Sequence, residues 1–429
     1  MKVLCQLKKE YTIEEKMFFL YGVFSTMQII SVFGFTVFSL FTYMLCLYFV
    51  LKKKRVSIYD KLIFVYAVLI LLTTSCNMFM NLTSKSYQNK AIISLINMLA
   101  VIAVYVYGNS KDNVQSFFKG FDLSCKIQLL WCCVQFVSHK VWNLPVNTIV
   151  FDKWLSMSEQ TTQVRNGEYV CSGLHWHASN MIMILVYLFL FSKSWIIKLL
   201  SIFIMLQTSN TTAMLAVSFC IICEIIVFIY KKSKNWIVSI NTEKRIIVIL
   251  MSGIGVIFGN KLVPILMEIY NSYIYRFTSL TGNLQGGEAD VGVSSLVHLN
   301  YYVNLPDMIS NSHIINVLLG YGLSCSGYIY SELYNQYKEM VWVIESDLVN
   351  NILNLGIIGF IVFYLLIIRL LYYIKLNKVN YKLCIFILAM LLSGVTYNVQ
   401  QIWLIVVILM LYVYVKYFAT LQVSNDDVY

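Results

Sequence analysis

The sequence predicts an all-α fold, a polytopic bundle of about twelve transmembrane helices with one large extracytoplasmic loop. Of the 429 residues, 59% are hydrophobic and only 12% are charged, and the mean hydropathy is +0.71. Soluble domains average about 45–50% apolar and about 25% charged residues. Apolar runs of roughly 15 to 27 residues recur along the chain, and a bilayer needs about 20 residues per helix. This composition excludes secreted, disordered and nucleic-acid-binding proteins.

The apolar runs give the predicted spans. The first run, residues 17–51, would form a helix of about 50 Å, too long for one span, and Phe33-Gly34 near its middle indicates a hairpin of two helices. The ten further predicted spans are residues 62–80, 91–108, 123–137, 178–191, 195–206, 211–230, 246–258, 348–374, 383–399 and 402–421.

The basic residues predict the orientation of these spans. An even number of spans puts both termini on one side, and the net charge of +11 collects in short clusters between apolar runs. With cytoplasmic termini, 23 of the 32 basic residues fall inside, 8 outside and 1 within a span, as the positive-inside rule requires. The predicted organisation is therefore nine helices in residues 1–258 with a smaller outer loop at 138–177, a large extracytoplasmic loop at 259–347, three helices in 348–421 and a cytoplasmic tail at 422–429.

The predicted outer face carries the groups suited to chemistry. All five histidines and all three prolines fall on that face or at its membrane edge. The short basic connectors predicted inside contain no glycine-rich loop of the kind that binds phosphate. We therefore expect chemistry outside, without direct use of ATP and without a cofactor.

Two outer segments contain the candidate site residues. Arg276 lies in the large loop and Arg165 in the smaller one, and a guanidinium group holds a phosphate in a bidentate geometry that lysine lacks. Aromatic rings offer an apolar face to a sugar, and a tyrosine adds a hydroxyl for hydrogen bonds. These features fit a site where a hydroxylated ligand meets an anionic one. The sugar-binding candidates are His175, His177, Tyr328 and Tyr330.

Each feature also has a structural interpretation. Tyrosine belts are common at membrane interfaces, and an arginine near the end of a span can simply extend its charge to water. His175 and His177 are two residues apart and have no third ligand at a recognisable spacing, so a structural role is favoured and no metal site is expected. Glu345 and Asp347 are also two apart, so only one of them can face a common site if the helix has begun.

Four short segments resemble one family of membrane proteins. Residues 345–360, ESDLVNNILNLGIIGF, resemble the end of the large outer loop in the O-antigen ligase and polymerase superfamily, and residues 319–323, LGYGL, are similar to the turn that precedes it. Residues 172–180, SGLHWHASN, and 206–212, LQTSNTT, are similar to the start of a mid-chain span and to a short turn two spans later. Order and spacing agree over about half of the chain. It resembles the Wzy-type repeat-unit polymerases in particular.

The resemblance implies a GT-C-like bundle in the bacterial cytoplasmic membrane. Its reaction would be metal-independent, inverting transfer of an undecaprenyl-pyrophosphate-linked glycan to a hydroxyl of another repeat unit, which builds a capsular or O-antigen-type polysaccharide. The base would be His298, Glu345 or Asp347, with His298 slightly preferred because the unperturbed pKa of histidine, about 6.5, is nearest the working pH. Arg276 and Arg165 would bind the pyrophosphate.

The chain departs from the family pattern at two positions. Asn210 stands where an arginine commonly follows serine, and His298 is the best match to an arginine midway through the large loop. The expected partners are the lipid-linked glycan donor and acceptor and the lipid bilayer, with a chain-length regulator and a flippase as further candidates; no nucleic acid is expected. The alternatives are a polysaccharide flippase or other transporter, and an O-antigen-type ligase.

Overall fold

The computed structural model describes residues 12–32, 35–52, 61–155, 164–165, 168–175, 178–208, 211–236, 300–334, 344–376, 380–397 and 401–426. The described chain is mostly helical, and its strands are four segments of two residues each. It forms two compact units, one made of Met1–Val217 with Leu305–Tyr429 and one made of Ser218–Asn304. The first unit contains the candidate site.

The first apolar run folds as the predicted hairpin. Helix α1 (Ile13–Ser25) begins with a capping box between Thr12 and Glu15. Strands β1 (Ser31–Val32) and β2 (Phe35–Thr36) then pair antiparallel, Val32 with Phe35, and helix α2 (Val37–Leu51) follows. The chain therefore reverses its direction between β1 and β2, as predicted.

Helices α3 (Lys61–Phe79), α4 (Lys85–Gly108) and α5 (Lys111–Trp142) follow. Helix α5 has 32 residues, and it extends beyond the predicted span at 123–137 over charged positions that the sequence assigns to a connector. Ser110 caps the helix by accepting a hydrogen bond from Asn113 N, and Lys126 pairs with Asp122 at 2.5 Å within it. These local interactions extend the helix beyond its apolar part.

The middle of the chain is irregular before it becomes helical again. A π-helical turn (Thr148–Trp154) and the paired strands β3 (Val164–Arg165) and β4 (Glu168–Tyr169) lead to a 3₁₀ turn (Ala178–Met181). The helices α6 (Ile182–Phe191), α7 (Trp195–Gln207) and α8 (Thr211–Trp236) come next. The predicted span at 246–258 lies outside the described residues.

From Leu305 onward, the described residues form three short and three long helices. The short ones, α9 (Leu305–Ser310), α10 (Ile314–Leu319) and α11 (Gly327–Leu333), fall within the predicted large loop. The long ones are α12 (Asp347–Leu376), α13 (Tyr381–Thr396) and α14 (Ile402–Asp426). Helix α12 covers the predicted span at 348–374. Its backbone is not helical throughout, because it is interrupted at Gly356 (φ 64°, ψ −179°).

Three helices of the described chain, α3, α4 and α12, are long and apolar enough to cross a membrane. Shorter apolar segments are Val37–Leu51, Ala178–Phe191, Trp195–Gln207, Leu215–Phe228, Tyr381–Val395 and Ile402–Tyr417. The fold is thus that of an all-α membrane protein.

Helix α1 packs closely on α5. An added Cβ at Gly22 would lie 2.1 Å from Phe117 O, so this contact requires the absence of a side chain. Beyond the end of α1, Gln128 of α5 donates from Nε2 to Thr26 O at 2.7 Å. Together these contacts fix the position of the segment that carries Gln28.

Candidate functional site

A polar cavity of about 310 Å³ lies among the three helices that are long enough to cross a membrane. Tyr66 comes from α3, Asn97 from α4 and Asn350 from α12. Its polar lining consists of nine side chains: Gln28, Tyr66, Ser94, Asn97, Ser324, Asn350, Asn351, Asn354 and Gln401. None of the described residues that line the cavity carries a charge. Burying amides and hydroxyls between apolar helices costs free energy unless these groups are hydrogen-bonded.

The interruption of α12 forms one wall of the site. Gly356 and Gly320 both have a positive φ with ψ near 180°, a conformation almost restricted to glycine. An added Cβ at Gly320 would lie 2.3 Å from Asn354 O, and one at Gly356 would lie 2.3 Å from Leu318 O. The two backbones can approach this closely only because both residues are glycines.

Two backbone carbonyls just before the interruption accept hydrogen bonds from the neighbouring segment. Tyr321 N donates to Leu353 O at 2.7 Å, and Gly322 N donates to Asn354 O at 3.0 Å. The segment after α10 therefore pairs with α12 as a strand would. Non-helical backbone within a membrane protein persists only where it is paired in this way or lines a cavity.

Helix α3 holds the same segment from its other side. Thr73 Oγ1 donates to Leu319 O at 2.6 Å, and Asn77 donates its side-chain amide to Tyr321 O. Thr83 Oγ1 donates to Asn77 Oδ1 at 2.9 Å and so orients that amide. The Gly320-Tyr-Gly322 turn is thus fixed between α3 and α12.

A row of asparagines follows the first part of α12. Asn350 and Asn354 are four residues apart and share one helix face, with Asn354 Nδ2 donating to Asn350 Oδ1 at 2.8 Å. Ser326 also donates its hydroxyl to Asn350 Oδ1, and Cys325 N donates to Asn354 Oδ1 at 3.0 Å. These bonds orient both amides at the cavity wall.

The opposite wall comes from distant parts of the sequence. Gln28 Oε1 lies 3.2 Å from His175 Nδ1 and accepts a hydrogen bond from Asn180 Nδ2 at 3.3 Å. Gln401 donates its amide to Asn180 Oδ1. Ile29 N donates to Leu174 O at 3.1 Å, which ties the segment of Gln28 to that of His175.

His175 reaches the cavity only through Gln28. Its side chain is fully buried, and burial lowers its pKa to about 3. The imidazole is therefore neutral, and with Gln28 Oε1 as the acceptor its proton lies on Nδ1. Its Nε2 has no hydrogen-bond partner in the described chain, and its ring packs 6.2 Å from that of Trp403.

Three cavity amides share one arrangement. In each of Gln28, Asn97 and Asn350 the side-chain oxygen is held by a protein donor, which for Asn97 is the Tyr43 hydroxyl. Within the described residues, the NH₂ group of each has no protein partner. Gln401 has the opposite arrangement, with its nitrogen committed to Asn180 and its oxygen without a protein partner in that part of the chain. The lining thus presents fixed donors and one fixed acceptor.

Of the two predicted acids, only Asp347 lies within the packed bundle. It is the first residue of α12, is fully buried, and lies one helical turn before Asn350 and Asn351. An added Cβ at Gly394 would lie 2.6 Å from Asp347 Oδ2, so the carboxylate packs against α13. Glu345 precedes the helix and is half-buried. The two acids therefore do not share one environment.

The two predicted sugar-binding tyrosines differ in exposure. Tyr328 is half-buried, and its ring lies 5.3 Å from that of Tyr87 and 5.9 Å from that of Tyr321. Tyr330 is only 3% exposed and packs against Tyr334 at 5.1 Å. Neither lines the cavity. Tyr330 packs here as a core residue, and a sugar-binding role for Tyr328 or Tyr330 stays a prediction.

The remaining predicted site residues lie apart from the cavity or outside the described chain. Arg165 lies on β3, where its backbone is in register with that of Glu168 on β4. His177, Arg276 and His298 lie outside the described residues. Within the described part of the chain, no group of three or more His, Cys, Asp or Glu residues could hold a metal ion.

Sequence reasoning missed the amides that line the cavity. These amides, Gln28, Asn97, Asn350 and Gln401, carry neither a charge nor an aromatic ring, so the features that predict a site do not single them out. One sequence feature could have identified them: each is an uncharged amide within or beside an apolar run, where such a group needs a hydrogen-bonding partner.

No protein family model matches the chain, and no curated protein matches its sequence. Its relationship to the O-antigen ligase and polymerase superfamily therefore stays a prediction drawn from the four short segments.

Proposed function

We propose that this protein polymerises undecaprenyl-pyrophosphate-linked oligosaccharide repeat units into a surface polysaccharide, as a Wzy-type member of the O-antigen ligase and polymerase superfamily. One observation carries the proposal: three of the segments on which the resemblance rests meet around one cavity. The Gly320-Tyr-Gly322 turn pairs with Leu353 and Asn354 of α12. In the third segment, His175 and Asn180 lie behind the facing wall, where they hold its lining residues Gln28 and Gln401 by hydrogen bonds. Uncharged amides and hydroxyls are the groups that a carbohydrate's hydroxyls require.

The proposal includes the finer topology. Twelve spans with cytoplasmic termini put the loop at 259–347 and the segment at 138–177 on the outer face of the bacterial cytoplasmic membrane. Lipid-linked repeat units would then enter from that face. Energy for the reaction is stored in the pyrophosphate linkage, so no nucleotide is needed.

The proposed step balances without a metal or cofactor. The acceptor hydroxyl attacks the anomeric carbon of the donor, the bond from that carbon to the phosphate oxygen breaks, and a glycosidic bond forms with inversion. A base takes the hydroxyl proton, and the candidates are His298, Glu345 and Asp347, of which Asp347 lies one helical turn before the lining residue Asn350. Arg276 and Arg165 would neutralise the pyrophosphate leaving group.

A second candidate is a transporter, such as a polysaccharide flippase. The interruption of α12 at Gly356 favours it, because discontinuous helices that border a central site are typical of secondary transporters. Those lining residues that the structure describes carry no charge that would bind a coupling ion or proton. We therefore place this candidate second.

The two candidates predict that lipid-linked repeat units accumulate on different faces of the membrane. In cells without this protein, loss of polymerisation leaves single repeat units on the outer face, whereas loss of a flippase leaves them on the cytoplasmic face. The test extracts lipid-linked glycans from intact cells before and after treatment with a glycosidase that cannot enter. Units accessible to the enzyme support a polymerase, and protected units contradict it.

A further inference from the structure

We propose that the amide-lined cavity binds one uncharged sugar ring and excludes anionic sugars. This inference rests on the proposed function, since it assigns the kind of sugar that the same site accepts.

The free groups of the lining match the needs of sugar hydroxyls. Gln28, Asn97 and Asn350 each present an NH₂ group whose amide is already oriented through its oxygen. Gln401 presents an oriented acceptor. A hydroxyl can both accept and donate, so one ring can use donors and acceptor together. Because the amides are held before a ligand arrives, binding costs little side-chain entropy.

The apolar part of the lining fits the rest of a sugar ring. Met98 and Phe363 line the same cavity and are 6% and 5% exposed. Aromatic and apolar side chains pack against the C–H face of a ring. The volume of about 310 Å³ is at the lower end of the range for small-molecule sites, about 300–1,000 Å³. The cavity therefore holds a single unit of a glycan, with the rest of the repeat unit outside it.

The absence of charge decides against uronic acids and phosphorylated sugars. A carboxylate brought into this cavity would lose its hydration and meet no lysine or arginine among the described lining residues. The acid nearest along α12, Asp347, lies one turn from Asn351. We expect at least a tenfold weaker binding of an anionic sugar than of its neutral counterpart, which corresponds to about 1.4 kcal/mol.

The arrangement of the amides allows a sharp set of variants. Gln28→Glu, Asn97→Asp and Asn350→Asp each keep the oxygen that accepts the protein hydrogen bond and replace the free donor by a second oxygen. The scaffold bonds remain, but the group offered to the sugar changes from a donor to a charged acceptor. Gln135→Glu is the control for the added charge. Gln135 Oε1 also accepts a hydrogen bond, from Gly173 N at 2.9 Å, its Nε2 has only a long contact of 3.5 Å to Gly173 O, and its side chain does not line the cavity.

The experiment uses saturation-transfer NMR to measure the binding of free sugars to the purified full-length chain in detergent. The neutral probes are glucose, galactose and N-acetylglucosamine. The anionic probes are glucuronate and galacturonate, which differ from glucose and galactose by a carboxylate at C6. We expect signal from at least one neutral sugar, at least tenfold weaker signal from its uronate, and loss of the neutral signal in the three cavity variants but not in Gln135→Glu.

Three results would overturn the inference: equal signals from a neutral sugar and its uronate, no signal from any neutral sugar, or an unchanged signal in all three cavity variants. If the variants fail to fold, the comparison of neutral sugar with uronate on the parent chain decides alone. Failure here is distinguishable from failure of the proposed function, because cells without the protein report polymerisation whatever sugar enters the cavity.

Discussion

Replacing Gly356 by alanine should detach the Gly320-Tyr-Gly322 turn from α12. At φ 64° and ψ −179° an alanine is strained, and its Cβ would lie 2.3 Å from Leu318 O and 2.5 Å from Gly320 N. Backbone atoms cannot move aside as a flexible side chain can. The turn must therefore withdraw, or α12 must change its course.

The expected cost follows from these contacts. Backbone strain of this kind costs about 1–3 kcal/mol. Withdrawal also breaks the hydrogen bonds from Tyr321 N to Leu353 O and from Gly322 N to Asn354 O, and a buried donor left without a partner costs about 1–3 kcal/mol. Partial relaxation reduces the sum, so we expect a loss of about 3–5 kcal/mol, or for a chain of this length a fall in melting temperature of roughly 3–6 °C.

Thermal unfolding of the purified chain in detergent measures this loss. Ile361→Ala is the control on the same helix, because Ile361 is 50% exposed and its truncation should cost much less. Gly320→Ala should have a similar effect to Gly356→Ala, and the double variant should lose less than the sum, since both changes break the same contact. If the Gly356→Ala protein has the same melting temperature as the Ile361→Ala control, this account of the interruption is refuted.

Three further predictions concern single residues. The pKa of His175 is about 3 in the folded chain and about 6.5 in the unfolded chain, so the unfolded chain binds more protons between these two pH values. The free energy of unfolding should therefore fall by up to about 1.4 kcal/mol per pH unit below about pH 6.5. In the His175→Gln variant, the melting temperature measured between about pH 7 and pH 5 should depend less on pH. Asp347→Asn and Arg165→Lys should each lower polymer formation at unchanged protein abundance, and full polymer in either variant removes that residue from the proposed chemistry. A cysteine at Ser294 should react with an impermeant reagent in intact cells and one at Ser233 should not, and the reverse pattern contradicts the proposed orientation.

The helical part of the fold follows directly from the sequence. Long apolar runs with few charges predict membrane-spanning helices, and α3, α4 and α12 satisfy that expectation. The hairpin at Phe33-Gly34 follows from the same arithmetic of length. Helix α5 exceeds its predicted bounds because capping by Ser110 and the Asp122–Lys126 pair extend a helix without adding hydropathy.

The candidate site depends on contacts that hydropathy does not encode. The sequence singled out Gly320-Tyr-Gly322 and Gly356-Ile-Ile-Gly359 as separate motifs, and only the structure shows the first pairing with the backbone beside the second. The interruption at Gly356 is invisible in an apolar run, because a single glycine is compatible with a helix. The cavity amides come from four distant stretches, so their meeting is a tertiary result.

The central claim is that the amide-lined cavity serves polymerisation. The most direct measurement reconstitutes the full-length chain in liposomes with lipid-linked repeat units from its own source cells and separates the products by size. We predict a ladder of polymers from the parent chain and from Gln135→Glu, and a loss of at least tenfold in its formation with Asn350→Asp. Single repeat units alone from the parent chain, or a full ladder from Asn350→Asp, would contradict the claim.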